Sequence, residues 1–373
     1  MIYLDHAATT PLCAEALQAM LPFLQEQYAN PSSSYAAARH TRHAIDEAKA
    51  KTAALVGADA HEIYITSGGT EADNWALFGV MRAALPDRRH LIVSAVEHHA
   101  VLKACQALEQ EGFRVTYASV DRQGVVDIDA IEKAISPQTA LISVMLANNE
   151  VGTIQPIREI AELAHRHGCL MHTDAVQAAG HIPVDIDELG VDLLSLSAHK
   201  FYGPKGVGAL YIRTGTRINR LIFGGEQESG LRAGTENVAG IVGMGRAAEL
   251  ALASLERDAA DIEALRDCMI GMAEEQLSGV AINGLGAPRL PGHVHMTIDH
   301  ADASLLLMQL DMNGIAASSG SACASGIAER SHVMAAMGIA GEHQADLRFT
   351  FGRQNTQEDV IKTIEVLRRI LNL

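Results

Sequence analysis

The segment that identifies the architecture reads Leu193-Leu194-Ser195-Leu196-Ser197-Ala198-His199-Lys200. Its first five residues are apolar or small, which is typical of a β-strand covered on both faces. Lysine is rarely buried without a partner, so Lys200 after such a strand is unusual. Desolvation there would lower the pKa of its amine and make it a competent nucleophile or base. A surface lysine that keeps its charge in water is the ordinary alternative.

Six further runs of this kind lie between about residues 60 and 215. They cover 63–67, 91–96, 115–118, 140–147, 169–173 and 208–213. Helical patterns separate them, and in one of these Ile157, Ile160 and Ala164 belong to an apolar stripe that Gly168 is placed to end. This alternation predicts an α/β fold with a mostly parallel sheet and helices on both faces.

The pattern changes after residue 213. A long helical region covers about 236–277, and the shorter elements that follow end in a helix capped by Thr356, with Asp359 three residues on. We therefore expect a smaller α+β domain beside the sheet. The large domain is assigned to residues 15–255, and the small domain to residues 1–14 together with 256–373.

The composition excludes several classes of protein. Of 373 residues, 48% are hydrophobic and the formal net charge is −16, which argues against disorder and against nonspecific binding to nucleic acid or anionic membranes. No uncharged apolar run approaches 18 residues and no secretory signal pattern is visible, so we expect neither a membrane span nor export. Five cysteines without a C-x-x-C pair suit a reducing cytoplasm: Cys13, Cys105, Cys169, Cys268 and Cys323.

Polar residues follow several of the predicted strands. Asp174 comes after the run 169–173, His98 after the run 91–96, and Asn149 after the run 140–147. Each also has an ordinary explanation as a helix cap or a loop residue. Because open α/β sheets bind ligands at the carboxyl ends of their strands, the convergence of these residues at one edge is more informative than any single one.

Three further features have both a functional and a structural interpretation. The turn Ser67-Gly68-Gly69-Thr70-Glu71 could cradle an anion at a helix N-terminus, or could simply connect a strand to a helix. Cys323 lies in a run of small residues, either as an exposed reactive thiol or as an incidental cysteine in a linker. Two histidine pairs lack other ligands at zinc spacing, so we favour structural roles for them: His165-x-His167 and His293-x-His295.

Taken together, these motifs resemble the cysteine desulfurases of the NifS/IscS type, which belong to the class V aminotransferases that use pyridoxal phosphate. The resemblance runs almost end to end. The matching motifs cover 3–10, 30–33, 66–71, 148–152, 174–177, 197–200, 232–237, 318–323 and 348–349. It implies the aminotransferase-like fold of type I, with a large cofactor-binding domain and a small domain that carries the thiol loop.

The resemblance implies a pyridoxal 5′-phosphate site. Lys200 would hold the cofactor through a Schiff base, Asp174 would pair with the pyridinium nitrogen, and His98 would stack on the ring. Arg348 would bind the substrate carboxylate, with Asn149 also at the substrate. The remaining cofactor contacts would come from Asn149 and Gln177 at the ring substituents and from Gly69, Thr70, Ser197, His199 and Thr235 at the phosphate. Thr235 would reach the phosphate of the neighbouring subunit, which implies a homodimer.

The implied reaction converts L-cysteine to L-alanine and leaves the sulfur as a persulfide on Cys323, with His98 as a proton donor or acceptor. An iron–sulfur scaffold or a sulfurtransferase for thio-cofactor or tRNA thiolation would accept the sulfur. No resident metal is implied, apart from a transient iron–sulfur contact at Cys323. The alternatives are a selenocysteine lyase, another pyridoxal-phosphate lyase of this fold, or a noncatalytic subunit of a sulfur-transfer complex. Four departures from the family pattern bear on the acceptor: Tyr35, Glu226, Ser229 and Arg330.

Overall fold

The computed structural model describes residues 1–319, 331–339 and 344–372. Within these ranges the strands β1 to β12 are Ile2–Tyr3, Ile63–Thr66, His90–Ser94, Arg114–Ala118, Thr139–Ser143, Leu170–Asp174, Leu193–Ser197, Gly208–Ile212, Val280–Ile282, His293–Asp299, Ile315–Ala316 and Gln344–Thr350. The helices α1 to α11 are Ala14–Gln25, Ala36–Ala54, Gly69–Ala83, His99–Gln110, Ile128–Ala134, Ile157–Arg166, Ile186–Leu189, Val238–Gln276, Ala303–Met312, His332–Ala336 and Gln357–Ile370.

The seven predicted runs form one sheet with the strand order β2-β8-β7-β6-β5-β3-β4. Strand β8 is antiparallel to both of its neighbours, and the other four pairings are parallel, so the predicted mostly parallel sheet is confirmed. The strand predicted over 140–147 ends at Ser143. Beyond it the amides of Val144 and Leu146 still donate to the carbonyl oxygens of His172 and Asp174 (3.1 and 2.8 Å), outside the regular ladder.

Both faces of this sheet are buried, as the apolar runs predict. In β7, Leu194 and Leu196 belong to one core while Leu193 belongs to the core on the opposite face. Strand β3 divides its side chains in the same way, with Ile92 on one side and Leu91 on the other. This alternation follows from the period of two in an extended chain. The loops at the carboxyl ends of the strands are therefore presented from a rigid platform.

In addition to the core of the sheet, which lies on both of its faces, a second core forms around the antiparallel strands β10 and β12 with helices α9 and α11. The cap predicted for α11 is present, because Thr356 N donates to Asp359 Oδ2 (2.9 Å) while Asp359 N donates to Thr356 Oγ1 (3.4 Å). The core of the sheet and the second core hold different residues, and this supports a division of the chain into two domains. The boundary at about residue 255 stays a proposal.

Helix α8 contributes to both cores. Met244 and Ala251 pack into the core of the sheet, whereas Met269 and Ala273 pack into the second core. By length and composition alone, α8 could cross a membrane, and it is the single such helix in the part of the chain that the structure describes. Over half (56%) of its most apolar window is buried inside the fold. Contacts between α8 and the two cores therefore account for its apolar character.

Candidate active site

Lys200 lies just beyond the carboxyl end of β7, in the short 3₁₀ turn Ala198–Lys200. Its ammonium donates hydrogen bonds to the carbonyl oxygens of Ala7 and Ala8 (2.5 and 2.8 Å). The Lys200 carbonyl in turn accepts a hydrogen bond from His181 Nε2 (2.8 Å). The strand and the N-terminal segment together thus position the amine at the sheet edge.

Asp174 ends β6, the strand that pairs with β7, so its carboxylate lies on the same edge as Lys200. The side chain is buried, and its Oδ1 accepts a hydrogen bond from Val176 N (2.8 Å). Burial raises the pKa of Asp174 to about 6, against the opposing effects of the Val176 amide and the positive charge of Lys200. Asp174 is therefore an anion at neutral pH and is suited to a cationic ring nitrogen.

His98 follows β3 and caps the N-terminus of α4. Its Nδ1 accepts a hydrogen bond from Ala100 N (3.1 Å), so a neutral ring carries its proton on Nε2. Burial lowers the pKa of His98 to about 4, and the charge of Lys200 contributes to the shift. The imidazole is therefore neutral at physiological pH.

The glycine turn before α3 forms a close cradle. Gly68 has φ +149°, and a Cβ at Gly69 would lie 2.8 Å from Val176 Cγ2, so side chains are excluded at both positions. Ser197 lies beside the turn, 3.7 Å from the position that a Cβ at Gly68 would take. The helix dipole makes the N-terminus of α3 electrostatically favourable for an anion. This arrangement fits a phosphate group.

An ion pair fixes the same turn from outside. Arg232 donates from Nε and Nη2 to the two carboxylate oxygens of Glu71 (2.8 and 3.1 Å). Glu71 Oε2 also accepts a hydrogen bond from Ser67 N (2.7 Å). The salt bridge therefore connects the motif at 232–237 to the glycine turn.

The N-terminal segment 5–10 connects further predicted residues to the site. Gln177 Nε2 donates to the Ala7 carbonyl (2.9 Å), the same oxygen that accepts from Lys200. His199 Nδ1 and the Thr9 hydroxyl are hydrogen-bonded (3.1 Å). The structure thus brings Gln177, His199 and Lys200 to one segment of the backbone.

Arg348 lies on β12 and connects the second core to this segment. The guanidinium is buried, with Nη2 donating to Asp5 Oδ1 (2.8 Å) and Nη1 donating to the Asn149 carbonyl (2.9 Å). Its Nε has no hydrogen-bond partner among the described residues. The structure therefore brings Arg348 and Asn149 together and fixes the orientation of the guanidinium.

Two predicted phosphate ligands are exposed on this chain. Thr70 lies on the solvent side of the first turn of α3, and Thr235 is exposed between Arg232 and Asn237. Neither is buried in the cradle. An exposed Thr235 leaves open the predicted contact with a second subunit.

Cys323 and Arg330 lie outside the described residues, but both flanks of their segment are described. The backbone of Ser318 pairs with that of Arg348, with N···O distances of 2.6 and 3.2 Å. On the other flank, the Ser331 hydroxyl donates to Glu150 Oε2 (2.5 Å). Five residues of extended chain span at most about 18 Å, which is the covalent reach from Ser318 to Cys323.

The remaining candidates have identifiable places. His165 Nε2 contacts Asp192 Oδ2 (2.9 Å), and no three His, Cys, Asp or Glu side chains form a metal-binding group within the described ranges. Tyr35 precedes α2 and is exposed, while Ser229 has φ +58°. The other histidine pair, His293 and His295, lies on β10. The described cysteines are Cys13 before α1, Cys105 in α4, Cys169 before β6 and Cys268 in α8.

Sequence reasoning missed several residues around the site: Asp5, Ala7, Ala8, Glu71 as an ion-pair partner, Asp73 and Glu97. The first three lie within the motif at 3–10, whose position in the family pattern was the one available signal. The carbonyl oxygens of Ala7 and Ala8 act through the backbone, so no residue type marks them. Asp73 lies within a stretch of helical pattern, and a carboxylate in such a stretch is normally exposed to solvent.

Known proteins resemble this chain over almost its whole length. The aminotransferase class-V family model matches residues 2–362. The cysteine desulfurase IscS of Dictyoglomus turgidum is 51% identical over 371 residues, which are 99% of this chain and 94% of that protein. That of Methanosarcina thermophila is 48% identical over 372 residues, which are 99% and 92% of the two chains. A solved structure described as a NifS-like protein has a TM-score of 0.93 at 37% identity, covering 100% of this chain and 99% of that one.

Proposed function

This chain belongs to the aminotransferase class-V family, and we propose that it is a pyridoxal-phosphate-dependent cysteine desulfurase that converts L-cysteine to L-alanine and places the sulfur on Cys323. The observation that carries the proposal is the juxtaposition of Lys200 and Asp174 at the ends of two paired strands. The cysteine desulfurase names of relatives at 51% and 48% identity support the choice of reaction.

The residues present fit pyridoxal 5′-phosphate. Lys200 would bind it covalently, the buried Asp174 would face the ring nitrogen, and His98 would stack on the ring. Gly69, Ser197 and the N-terminus of α3 would hold the phosphate. The other predicted contacts are proposed for Thr70, Asn149, Gln177, His199 and, from a second subunit, Thr235. When bound, the cofactor withdraws electrons from the substrate Cα.

The protein's own groups would then orient the substrate and move its protons. The substrate carboxylate would bind at Arg348, whose buried Nε lacks a partner among the described residues. The Lys200 amine, once free of the cofactor, would take the Cα proton and deliver it again. His98 is neutral with its proton on Nε2, which suits it to donate at the sulfur or at the ring.

The sulfur transfer conserves atoms and electrons. The Cys323 thiolate attacks the substrate sulfur, an S–S bond forms, and the C–S bond breaks with its electron pair remaining on carbon. Protonation of that carbon gives L-alanine, and Cys323 becomes a persulfide. A sulfur-acceptor protein would then take the outer sulfur, and this would be an iron–sulfur scaffold or a sulfurtransferase. The setting proposed for this exchange is the cytoplasm.

Replacement of the thiol tests the reaction. Cys323→Ala is expected to retain cofactor absorbance but to lose alanine formation from cysteine, because the thiolate that accepts the sulfur is absent. Cys268→Ala is the matched control, since Cys268 lies in α8. Alanine formation at the unmodified rate in Cys323→Ala would overturn the persulfide step. Activity on selenocysteine alone would then favour a selenocysteine lyase.

A further inference from the structure

Three carboxyl side chains are buried together beneath the site. Asp174 ends β6, Glu97 follows β3, and Asp73 lies in α3. Their exposed fractions are 5%, 0% and 1%. Three adjacent anions in such a place would repel one another strongly, and each would have lost its hydration.

The hydrogen bonds of the three carboxyls are unequal. Asp174 accepts the Val176 amide. Glu97 Oε1 accepts from the Ser94 hydroxyl (2.5 Å) and from Met145 N (2.7 Å), but its Oε2 has no partner among the described residues. Asp73 Oδ1 also has no partner there. A buried carboxylate oxygen without a donor is costly, whereas a carboxylic acid is not charged.

A cationic histidine does not compensate for Asp73. His172 Nε2 lies 3.8 Å from Asp73 Oδ1, which is too far for a hydrogen bond. Burial lowers the pKa of His172 to about 3, so its imidazole is neutral. Its two ring nitrogens are hydrogen-bonded to the hydroxyls of Ser143 (2.8 Å) and Ser195 (3.0 Å).

The Ser195 hydroxyl also acts on the Asp73 carboxyl and by itself lowers the pKa of Asp73, so these groups form a row, Ser143–His172–Ser195–Asp73. Each hydroxyl and the neutral imidazole can both donate and accept, so the row has two possible directions. When Asp73 carries a proton, it donates to Ser195, Ser195 donates to His172, and His172 donates to Ser143. When Asp73 is ionised, the row runs the other way and satisfies both ring nitrogens equally well. The row therefore accommodates a protonated Asp73, and it is the burial of three adjacent carboxyls that favours the protonated form.

We propose that Asp73 is a protonated carboxylic acid in the folded protein and that, with Glu97 also protonated, it leaves Asp174 as the one anion among these three carboxyls. Asp73 is then a positioning residue: because it is neutral, the negative charge of the three carboxyls lies on Asp174 alone. Burial and the neighbouring carboxyls of Asp174 and Glu97 raise the pKa of Asp73, and burial raises that of Glu97 to about 8, which supports this assignment. The link to the cofactor nitrogen rests on the proposed function; the protonation of Asp73 does not.

Infrared spectroscopy tests the protonation directly. The cofactor-free protein at pH 7 is expected to show carboxylic-acid C=O absorption, part of which is lost in Asp73→Asn and another part in Glu97→Gln. In the unmodified protein, ¹³C labelling of aspartate should shift part of the band, so the test does not depend on the folding of a variant. Absence of a label-sensitive acid band would overturn the proposal, whether or not the protein binds a cofactor.

Unfolding gives an independent measurement. Because the folded pKa of Asp73 lies above the unfolded one, the folded state binds one more proton between them, and its stability falls as pH rises from about 4. Between pH 5 and 7 the unfolding constant of the unmodified protein should rise about ten-fold per pH unit relative to Asp73→Asn. A ratio that does not change with pH would contradict a protonated Asp73.

The positioning role has a spectroscopic readout. In the protein loaded with pyridoxal phosphate, Asp73→Ala should shift the pH midpoint of the cofactor absorbance, since Ser195 and His172 lose their fixed direction. Asp73→Asn should restore the midpoint, because a carboxamide can also donate to Ser195. If the unmodified protein, Asp73→Ala and Asp73→Asn had equal midpoints, Asp73 would have a structural role only and would not position Asp174.

Discussion

Lys200 and Lys205 stand five positions apart but have different surroundings. Lys200 donates to two backbone carbonyls at the sheet edge, whereas Lys205 is exposed. Borohydride reduction of the loaded protein, followed by peptide mapping, should place the cofactor on Lys200. Lys200→Ala should abolish the label, and Lys205→Ala should retain it. A label on Lys205 would show that the wrong amine was assigned.

The protonation of His98 gives a second prediction at this scale. Its folded pKa of about 4 lies below the unfolded value of about 6.5, so only the unfolded chain binds the proton between these values. The stability contributed by this group is therefore complete above pH 6.5 and is lost as pH falls towards 4. Nitrogen NMR at pH 6 should find a neutral ring protonated on Nε2, with His98→Gln identifying the signal. A His98 signal that titrates near pH 6.5 would contradict a buried ring beside the charge of Lys200.

Individual residues were predictable where their chemistry is unusual for their position. Lys200 stands out because lysine rarely follows a buried strand, whereas Asp174 by itself is as well explained by a helix cap and becomes informative only with the other polar residues at the sheet edge. Ala7 and Ala8 do not stand out, since any residue type supplies the same carbonyl oxygens. Asp73 was missed for another reason: a carboxyl within a helical pattern gives no sign that the fold buries it.

At the scale of elements, apolar runs located all seven strands of the large sheet. Six of these strands are buried over most of their length, whereas the edge strand β4 is largely exposed. The ends were less predictable. Strand β5 stops at Ser143, although Val144 and Leu146 are as apolar as the strand itself. The strand ends where its regular pairing with β6 stops. Pairing between strands is a tertiary contact, and the local sequence does not predict where it ends.

The ion pair between Arg232 and Glu71 connects two such elements. Their side chains are 19% and 11% exposed, so Arg232→Ala should lower the free energy of unfolding by about 2 kcal/mol, less than for a fully buried pair. The exposed pair of Arg158 and Glu162 is the control, and Arg158→Ala should cost at most about 0.5 kcal/mol. Urea unfolding at pH 7 compares the two variants.

The pH dependence of this pair has a defined sign. Burial alone would raise the pKa of Glu71, but hydrogen bonds from Arg232 and Ser67 lower it overall. The pair's contribution is therefore complete above the unfolded pKa of about 4.3 and is lost as pH falls through the folded pKa. A difference between Arg232→Ala and the unmodified protein that persists unchanged at pH 3 would argue against an ionic interaction.

For the whole molecule, the exposed position of Thr235 leads to a prediction about subunits. If Thr235 completes the site of a second subunit, mixing inactive Lys200→Ala protein with an inactive Thr235→Ala protein should restore part of the activity. Exchange of subunits must be demonstrated separately, with two tags of different mass. Exchange without recovered activity would show that each chain uses its own Thr235.

The contacts of the segment 5–10 also determine when the site can form. Asp5 pairs with a residue 343 positions further along the chain, and Ala8 with one 192 positions away. A ribosome therefore releases one half of the site long before it makes the other, and contacts of such high sequence separation close late in folding. The sheet over 63–212 can be complete while Arg348 has not yet been synthesised. The proposed cofactor would therefore be bound in its final geometry only late in the biogenesis of this protein.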